Sequence, residues 1–272
     1  MSIYEKLFYE DEKFPVIFHY DTVDKICSYM IPHWHENIEL LFFTKGEGLI
    51  TLDTTNVVAR AGDIIVVNSN HLHHITAMDD EIGYYCLIID KEFCQEFDFF
   101  TEEHFLQSII SDETAQNIFK EIVHEFDQKE QYYKSAIKSS IVRLLTHLYR
   151  TYRSDTAGME LKARSNRTNM VKDTIKFVQL HYKNPISIDE IAKEVGYSKY
   201  YLLHNFKEIT GYTLISYINF FRCIKAKKLI NKNKSIMEAA QLCGFENQSY
   251  FTKTYKKYIG VVPSQEKNQD TD

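Results

Sequence analysis

The chain has 272 residues, 44% of them hydrophobic and 26% charged, with a formal net charge of −6 and a sequence pI of about 6.0. This length is sufficient for two domains with independent cores. No apolar stretch approaches the roughly twenty residues that span a bilayer, and the N-terminus lacks the basic start and apolar core of a signal peptide. The five cysteines are widely spaced, without a paired metal-binding pattern. We therefore expect a cytoplasmic protein with reduced thiols and no membrane contact.

Short β-strands are predicted between Ile38 and Val67. Runs rich in Leu, Ile, Val, Phe and Thr alternate there with turn residues at 45–48, 53–56 and 61–63. Strands about six residues long at this spacing indicate an antiparallel β-barrel. We predict that this barrel occupies residues 1–102.

Polar residues at a recognisable spacing accompany these strands: Pro32-His33-Trp34-His35, then Glu39, Gly46, Gly62-Asp63 and His73. The string resembles the two motifs of the cupin family, in the version found in sensor domains. His33, His35, Glu39 and His73 have the spacing at which many cupins hold a divalent metal, because alternate residues of a strand share a face. We predict that these four residues bind a small-molecule effector. A carbohydrate is the family-level expectation, while an amino acid, an organic acid or no ligand fits the sequence equally.

The same four residues raise the alternative of a metal-dependent cupin enzyme with a DNA-binding tail. Cupin domains of the sensor type commonly keep part of this motif without a metal or a reaction, and a shared fold does not imply a shared reaction. We therefore predict no catalytic residue, no resident metal and no other cofactor. A hydrogen-bonded structural cluster, or a barrel that only dimerises or holds a partner protein, remains a further alternative.

Residues 103–153 change to a helical period. One apolar stripe begins at Phe105, Ile109 and Ile110 and continues to Phe126, and a second runs from Ile137 to Leu148. These stripes predict two antiparallel helices, which fit either a contact between two copies of the chain or a cover over the barrel. Residues 154–167 then lose their apolar side chains, which predicts a flexible linker.

Two segments near the C-terminus repeat one pattern. In each, a Ser stands three residues before a Glu, the arrangement that caps a helix start reciprocally. A glycine then ends the short helix, and a Ser or Asn opens a second helix. The pattern predicts a helix-turn-helix twice. Its landmarks are Ser187, Gly196 and Ser198 in the first copy and Ser235, Gly244 and Asn247 in the second.

Residues 168–268 resemble the DNA-binding domain of the AraC/XylS family of transcription regulators. The resemblance rests on the strings 187–196, 201–207, 210–211, 226–230 and 244–251, with Tyr217, Arg222, Gly260 and Pro263. The departures, at Ala239, Val262 and Lys267, break no helix. The resemblance implies that one long helix over residues 213–233 separates two recognition helices, so that both enter successive major grooves about 34 Å apart.

The exposed face of each second helix is then expected to contact DNA. Gln248 and Lys253 are the strongest candidates, because Gln pairs bidentately with adenine and Lys donates to guanine. Some of the other residues fit solvated helix surface equally well, since most groove contacts position the protein without specifying sequence. The predicted contact residues are Lys199, Tyr200, Leu203, His204 and Lys207 in the first copy and Gln248, Ser249, Tyr250, Thr252 and Lys253 in the second.

Charge separates the two halves of the chain. Residues 168–272 hold 16 Lys and Arg against 10 Asp and Glu, whereas residues 1–153 hold 13 against 26. A local basic field attracts phosphate, which assigns DNA binding to the C-terminal half. We predict an α+β protein of two domains, a cupin-like sensor and a tandem helix-turn-helix, that regulates transcription as a homodimer. The family resemblance favours an activator that binds double-stranded DNA and is compatible with a contact to RNA polymerase.

Overall fold

The computed structural model describes residues 14–24, 31–154 and 157–266, with the backbone alone over residues 157–165. The N-terminal segment, Cys27 and Lys267, on which some of the sequence-based predictions rest, lie outside these residues. The described chain folds into two compact units, an N-terminal and a C-terminal one, and the main boundary falls between residues 164 and 165.

The strands of the N-terminal unit form separate antiparallel sheets. A five-stranded sheet has the order β1-β7-β2-β5-β9, a three-stranded sheet has the order β4-β3-β6, and β10 pairs with β8. The first two sheets contact each other where Glu39 of β2 lies 3.0 Å from His73 of β6. The predicted barrel is therefore a two-sheet structure in the described residues. The strands are β1 (Val16–Asp24), β2 (Ile38–Lys45), β3 (Gly48–Leu52), β4 (Thr55–Ala59), β5 (Ile64–Val67), β6 (His73–Ala77), β7 (Glu81–Ile89), β8 (Phe105–Leu106), β9 (Ile109–Ile110) and β10 (Arg153–Ser154).

Alternation along β2 gives the five-stranded sheet two apolar faces. Ile38, Leu40 and Phe42 face a helix pair, α2 (Glu113–Gln128) and α3 (Tyr133–Thr151), whose apolar stripes complete this core. The rings of Phe42 and Phe119 lie 5.2 Å apart across it. The stripes are thus buried within the chain, and they cover the sheet rather than lying open for a second copy.

The predicted start of the first helical stripe is wrong. Phe105, Ile109 and Ile110 lie in strands, and Ile110 pairs with Ile64 of β5. Residues 109–110 pair with the open edge of β5, and residues 105–106 pair with β10. A helical period alone could not reveal these long-range contacts. Helix α2 begins only after Asp112, whose side chain accepts a hydrogen bond from the Ala115 N–H.

The C-terminal unit consists of helices in its described part. The predicted tandem repeat is confirmed: α5 ends at a left-handed Gly196, α6 begins after Ser198, and α9 begins after Asn247. The reciprocal cap predicted for both copies is complete only at Ser187, because Glu238 pairs with Lys234 instead. The remaining helices of the chain are α1 (Lys91–Glu96), α4 (Ala157–His181), α5 (Ile188–Val195), α6 (Lys199–Thr210), α7 (Leu214–Asn231), α8 (Ile236–Leu242), α9 (Gln248–Ile259) and α10 (Pro263–Glu266).

The stretch predicted as a linker, 154–167, is helical over most of its length. Helix α4 begins at Ala157 and continues to His181. Its first turns carry Ala157, Met159, Glu160 and Leu161. Their high helix propensity outweighs Gly158 and the lack of a continuous apolar stripe.

Candidate functional sites

The predicted DNA-contact residues lie on α6 and α9. Of the ten, Leu203 and Thr252 are half-buried and the others are exposed. Behind this face the apolar side chains are buried, with Leu202 and Phe206 in the first helix and Phe251 in the second. The buried anchors fix each helix, so that its polar face stays directed to solvent.

Local contacts hold part of the first polar face. Lys199 Nζ lies 2.9 Å from Asp189 Oδ2 of α5, and the Tyr200 and His204 rings stack at 6.1 Å. Tyr200 is 81% exposed, so this aromatic surface is open to a partner. Lys207 has no ion-pair partner in the described residues, which leaves its ammonium group available to a phosphate.

The second polar face has an anchor that the sequence did not predict. Asn219 of α7 donates from Nδ2 to the Tyr250 hydroxyl at 2.9 Å, although Tyr250 is half exposed. The connecting helix therefore orients a side chain at the start of α9. An Asn among the apolar residues Tyr217 to Phe221 was the sequence signal for this role.

Three of the four predicted effector residues form a buried cluster within the N-terminal unit. His35 Nε2 and His73 Nε2 each lie 3.0 Å from the same Glu39 oxygen, Oε2. His33 precedes His35 by two residues, and one potential ligand atom from each of the four residues lies within 4.8 Å of the others. The spacing in the sequence thus corresponds to a real convergence of side chains.

Backbone carbonyls set the orientation of the histidine rings. The Nδ1 atoms of His33, His35 and His73 lie 3.0, 3.0 and 2.9 Å from the carbonyl oxygens of Ile31, Asn37 and His71. An Nδ1 that donates to a carbonyl leaves the Nε2 lone pair of a neutral ring as the ligand atom. The arrangement therefore suits two states. In one, neutral rings and the carboxylate hold a divalent cation; in the other, protonated rings donate hydrogen bonds to the Glu39 carboxylate.

Glu39 is the charged centre of the cluster. Burial acts to raise the pKa of its carboxyl, but the charge and hydrogen bonds of His73 and His35 outweigh burial and hold this pKa well below its usual range. Cys86 of β7 donates from Sγ to the second carboxylate oxygen, Oε1, at 3.1 Å. Nothing in the local sequence around Cys86 indicates this contact, which depends on how β7 pairs with β2.

Known families match both units. Residues 24–145 match the family model of an AraC-like ligand binding domain, and residues 191–269 match that of a helix-turn-helix domain. The chain belongs to the AraC family of transcription regulators. The C-terminal unit of this regulator is therefore its DNA-binding domain, and the N-terminal unit is its ligand-binding domain.

Relatives and solved structures agree with this family. The chain is 23% identical over 263 residues to YdeC of Bacillus subtilis, an uncharacterized HTH-type transcriptional regulator. The matched region covers 92% of this chain and 90% of that protein. The chain is 24% identical to YdiP of Escherichia coli, also an uncharacterized HTH-type transcriptional regulator. That match covers 87% of this chain and 80% of YdiP. The crystal structure of ToxT from Vibrio cholerae O395 has a TM-score of 0.50 and 16% identity, over 94% of this chain and 98% of that one. That similarity shows a shared fold.

No helix within the described ranges is both long and apolar enough to cross a membrane.

Proposed function

We propose that this regulator recognises specific DNA sequences through both α6 and α9, with Gln248 and Lys253 contacting bases and Lys207 contacting phosphate. The observation that carries the proposal is that both helices direct an exposed polar face outward while their apolar faces are buried. A bidentate Gln contact contributes about 1–3 kcal/mol of discrimination between bases. A Lys contact to phosphate contributes affinity on every sequence.

Selection of bound duplexes from random DNA, at a fixed near-physiological salt concentration, tests these roles in the full-length protein. We expect Gln248→Ala to relax the base preference at one position, because one direct contact is lost. We expect Lys207→Ala to weaken binding to all sequences and to flatten the salt dependence by about one counterion. Lys120→Ala, an exposed substitution in the N-terminal unit, is the matched control and leaves both properties unchanged. Equal losses on every sequence for both variants would contradict the assigned roles.

We further propose that the regulator acts as a homodimer and as an activator of transcription. The apolar stripes of α2 and α3 are used inside the chain, so the supporting feature is the outer face of this pair, a groove of about 710 Å³ lined by Glu121, Arg143, His147 and Arg150. Glu121 and Arg143 pair with each other within the chain, so the groove presents a polar surface of both signs. In a two-fold interface this surface of one copy would face the same surface of the other. Sedimentation measures the dimer, and a reporter fused to a selected operator, with purified RNA polymerase, measures activation.

We propose that His33, His35, Glu39 and His73 bind the effector, with a carbohydrate as the ligand class that the family resemblance favours. Their convergence supports this role, because a few buried polar groups in an apolar surrounding are how small-molecule sites orient a ligand. Under this proposal the chain catalyses no reaction.

The ring orientations favour a second candidate function for the same four residues, the binding of a divalent metal. Three imidazole nitrogens and one carboxylate oxygen are ligands that Zn²⁺, Fe²⁺, Mn²⁺ and Ni²⁺ accept. A bound metal would supply a Lewis-acidic position for an oxygen or nitrogen of the effector. The prediction of no resident metal and the alternative of a cupin enzyme are both decided by measuring metal content.

Metal analysis of full-length protein purified without chelators tests this candidate. Binding predicts about one divalent ion per chain, lost in His35→Ala and in His73→Ala, because each removes one ligand. His124→Ala, an exposed histidine of α2, is the control and keeps the ion. If the protein contains no metal and takes none up from Zn²⁺, Mn²⁺, Fe²⁺ or Ni²⁺, both the metal site and the enzyme alternative are excluded.

A further inference from the structure

Tyr84 of β7 carries a buried hydroxyl group that lacks a hydrogen-bond partner in the described part of the chain. The residue is fully buried, and its hydroxyl makes no hydrogen bond within the ranges that the structure describes. Its ring stacks on Phe43 at 5.3 Å between ring centres. The ring is therefore packed on both a strand and a neighbouring ring, while the hydroxyl finds no acceptor among the described residues.

Strand register places Tyr84 on the same sheet face as the effector cluster. Tyr84 lies opposite Phe43 and Cys86 lies opposite Leu41, so these residues share the inner face with Glu39. Cys86, one pleat from Tyr84, is the residue that donates to Glu39. On the other side, Asp21 of β1 lies directly opposite Tyr84. The inner polar stripe on this sheet face thus consists of Glu39, Cys86, Tyr84, Asp21 and His19. His19 lies opposite Cys86, and its Nε2 is 2.9 Å from Asp21 Oδ2.

A buried hydroxyl without a partner is unfavourable. Burial raises the pKa of the Tyr84 hydroxyl, so the group stays protonated at neutral pH and can serve as a donor. Leaving such a donor unpaired destabilises the folded protein, and protein interiors nearly always supply an acceptor from the chain, from water or from a ligand. On a wall that also carries the proposed effector residues, a ligand is the acceptor that accounts for the position.

We propose that Tyr84 is a specificity-determining residue of the N-terminal unit, whose hydroxyl donates to an oxygen of a neutral, hydroxyl-bearing effector. This inference rests on the proposed effector function. The neighbouring carboxylates select the ligand class. Asp21 and Glu39 are each paired with histidine, but their negative charges still act on the Tyr84 hydroxyl, so they disfavour an anionic ligand beside it. A ligand hydroxyl, in contrast, accepts from Tyr84 and can donate in turn to a carboxylate.

The chain offers a matched control in the next residue. Tyr85 points to the opposite face of the sheet, where its ring stacks on Phe18 at 5.5 Å and remains partly exposed. Tyr84→Phe and Tyr85→Phe each remove one hydroxyl group from β7 and keep the aromatic ring. Only the first change alters the inner polar stripe.

Thermal unfolding of the full-length wild type and of both variants tests the proposal. The probes are D-glucose, D-xylose, D-galactose, myo-inositol and glycerol, with pyruvate and citrate as anionic comparisons. We expect at least one neutral probe to raise the unfolding temperature of the wild type and of Tyr85→Phe. Its affinity for Tyr84→Phe falls about tenfold, because one hydrogen bond is lost. Without ligand, Tyr84→Phe should unfold at the wild-type temperature or above it, since no internal hydrogen bond is removed.

Four results would overturn the proposal: equal ligand shifts in both variants, shifts by the anions alone, no shift by any probe, or a ligand-free Tyr84→Phe protein that unfolds below the wild type and Tyr85→Phe. The last result would show that the hydroxyl already has a partner inside the protein. DNA affinity without ligand is measured in parallel. If the wild type and both variants all bind selected DNA, the DNA-binding function stands whatever happens to Tyr84.

Discussion

Two glycines that the sequence predicts to end a helix differ in the atoms that surround them in the structure. Gly196 and Gly244 follow the first helix of each repeat, and both have left-handed backbones, with φ of 75° and 81°. A Cβ on Gly196 would meet no atom within 4 Å. A Cβ on Gly244 would overlap the Tyr182 carbonyl oxygen and lie 3.0 Å from Arg222 Nη2.

We therefore expect Gly196→Ala to cost about 1–2 kcal/mol of stability, the left-handed penalty alone. Gly244→Ala should cost more, because Arg222 must also give up its 2.8 Å hydrogen bonds to the carbonyls of Tyr182 and Asn184. Urea unfolding, monitored on the transition of the C-terminal unit, measures both losses. Equal costs would show that the contacts around Gly244 contribute nothing.

Site residues also differ in how far the sequence alone predicts them. Spacing in the sequence grouped the four predicted effector residues, and their side chains converge in the structure. Neither Tyr84 nor Cys86 could be predicted in this way, because a Tyr or Cys in an apolar strand is an ordinary core residue until its cross-strand neighbours are known.

At the scale of elements, the two repeats begin with one sequence pattern but different contacts. Ser187 and Ser235 each accept a hydrogen bond at 3.2 Å from the N–H of the Glu three residues later. Glu190 returns a bond to the Ser187 N–H at 3.1 Å, whereas Glu238 pairs with Lys234 at 2.7 Å. The first Glu completes a cap, and the second forms an exposed ion pair.

These contacts predict different salt responses. Glu190→Ala should cost roughly 0.5–1 kcal/mol at any salt concentration, because a backbone hydrogen bond is lost. Glu238→Ala should cost about 0.3–0.5 kcal/mol at low salt and less at high salt, since an exposed ion pair is screened. Urea unfolding at both salt concentrations separates the two cases. A loss at Glu238 that persists undiminished in high salt would refute the ion-pair assignment.

Helices with strong local sequence signals lie close to their predicted positions. Capping residues, helix-ending glycines and the apolar period all lie within one turn of a helix, so they predicted α5, α6, α7 and α9 within a few residues. Strands β8 and β9 were mistaken for helix because two apolar residues in each carry no period of their own. Pairing with distant segments decides their state, because β9 pairs with β5 and β8 pairs with β10.

At the scale of the whole molecule, charge and function divide in the same way. The C-terminal residues from 168 onward carry an excess of six positive charges, in a chain whose total is −6. Random-sequence selection with the full-length protein should therefore enrich two blocks of bases about one helical turn apart, since each chain offers two recognition helices. Enrichment of a single block would mean that only one helix-turn-helix specifies sequence.

The sequence by itself determined the family, the two-unit organisation, the tandem helix-turn-helix and the residues expected at both sites, because caps, periods and motif spacings are local or nearly local. Only the tertiary structure decided that α2 and α3 cover the sheet, that Asn219 orients Tyr250, and that Tyr84 shares a face with Glu39. Those facts depend on strand register and helix packing between distant segments. A one-residue shift in register would reverse which side chains face inward, and no local pattern records that choice.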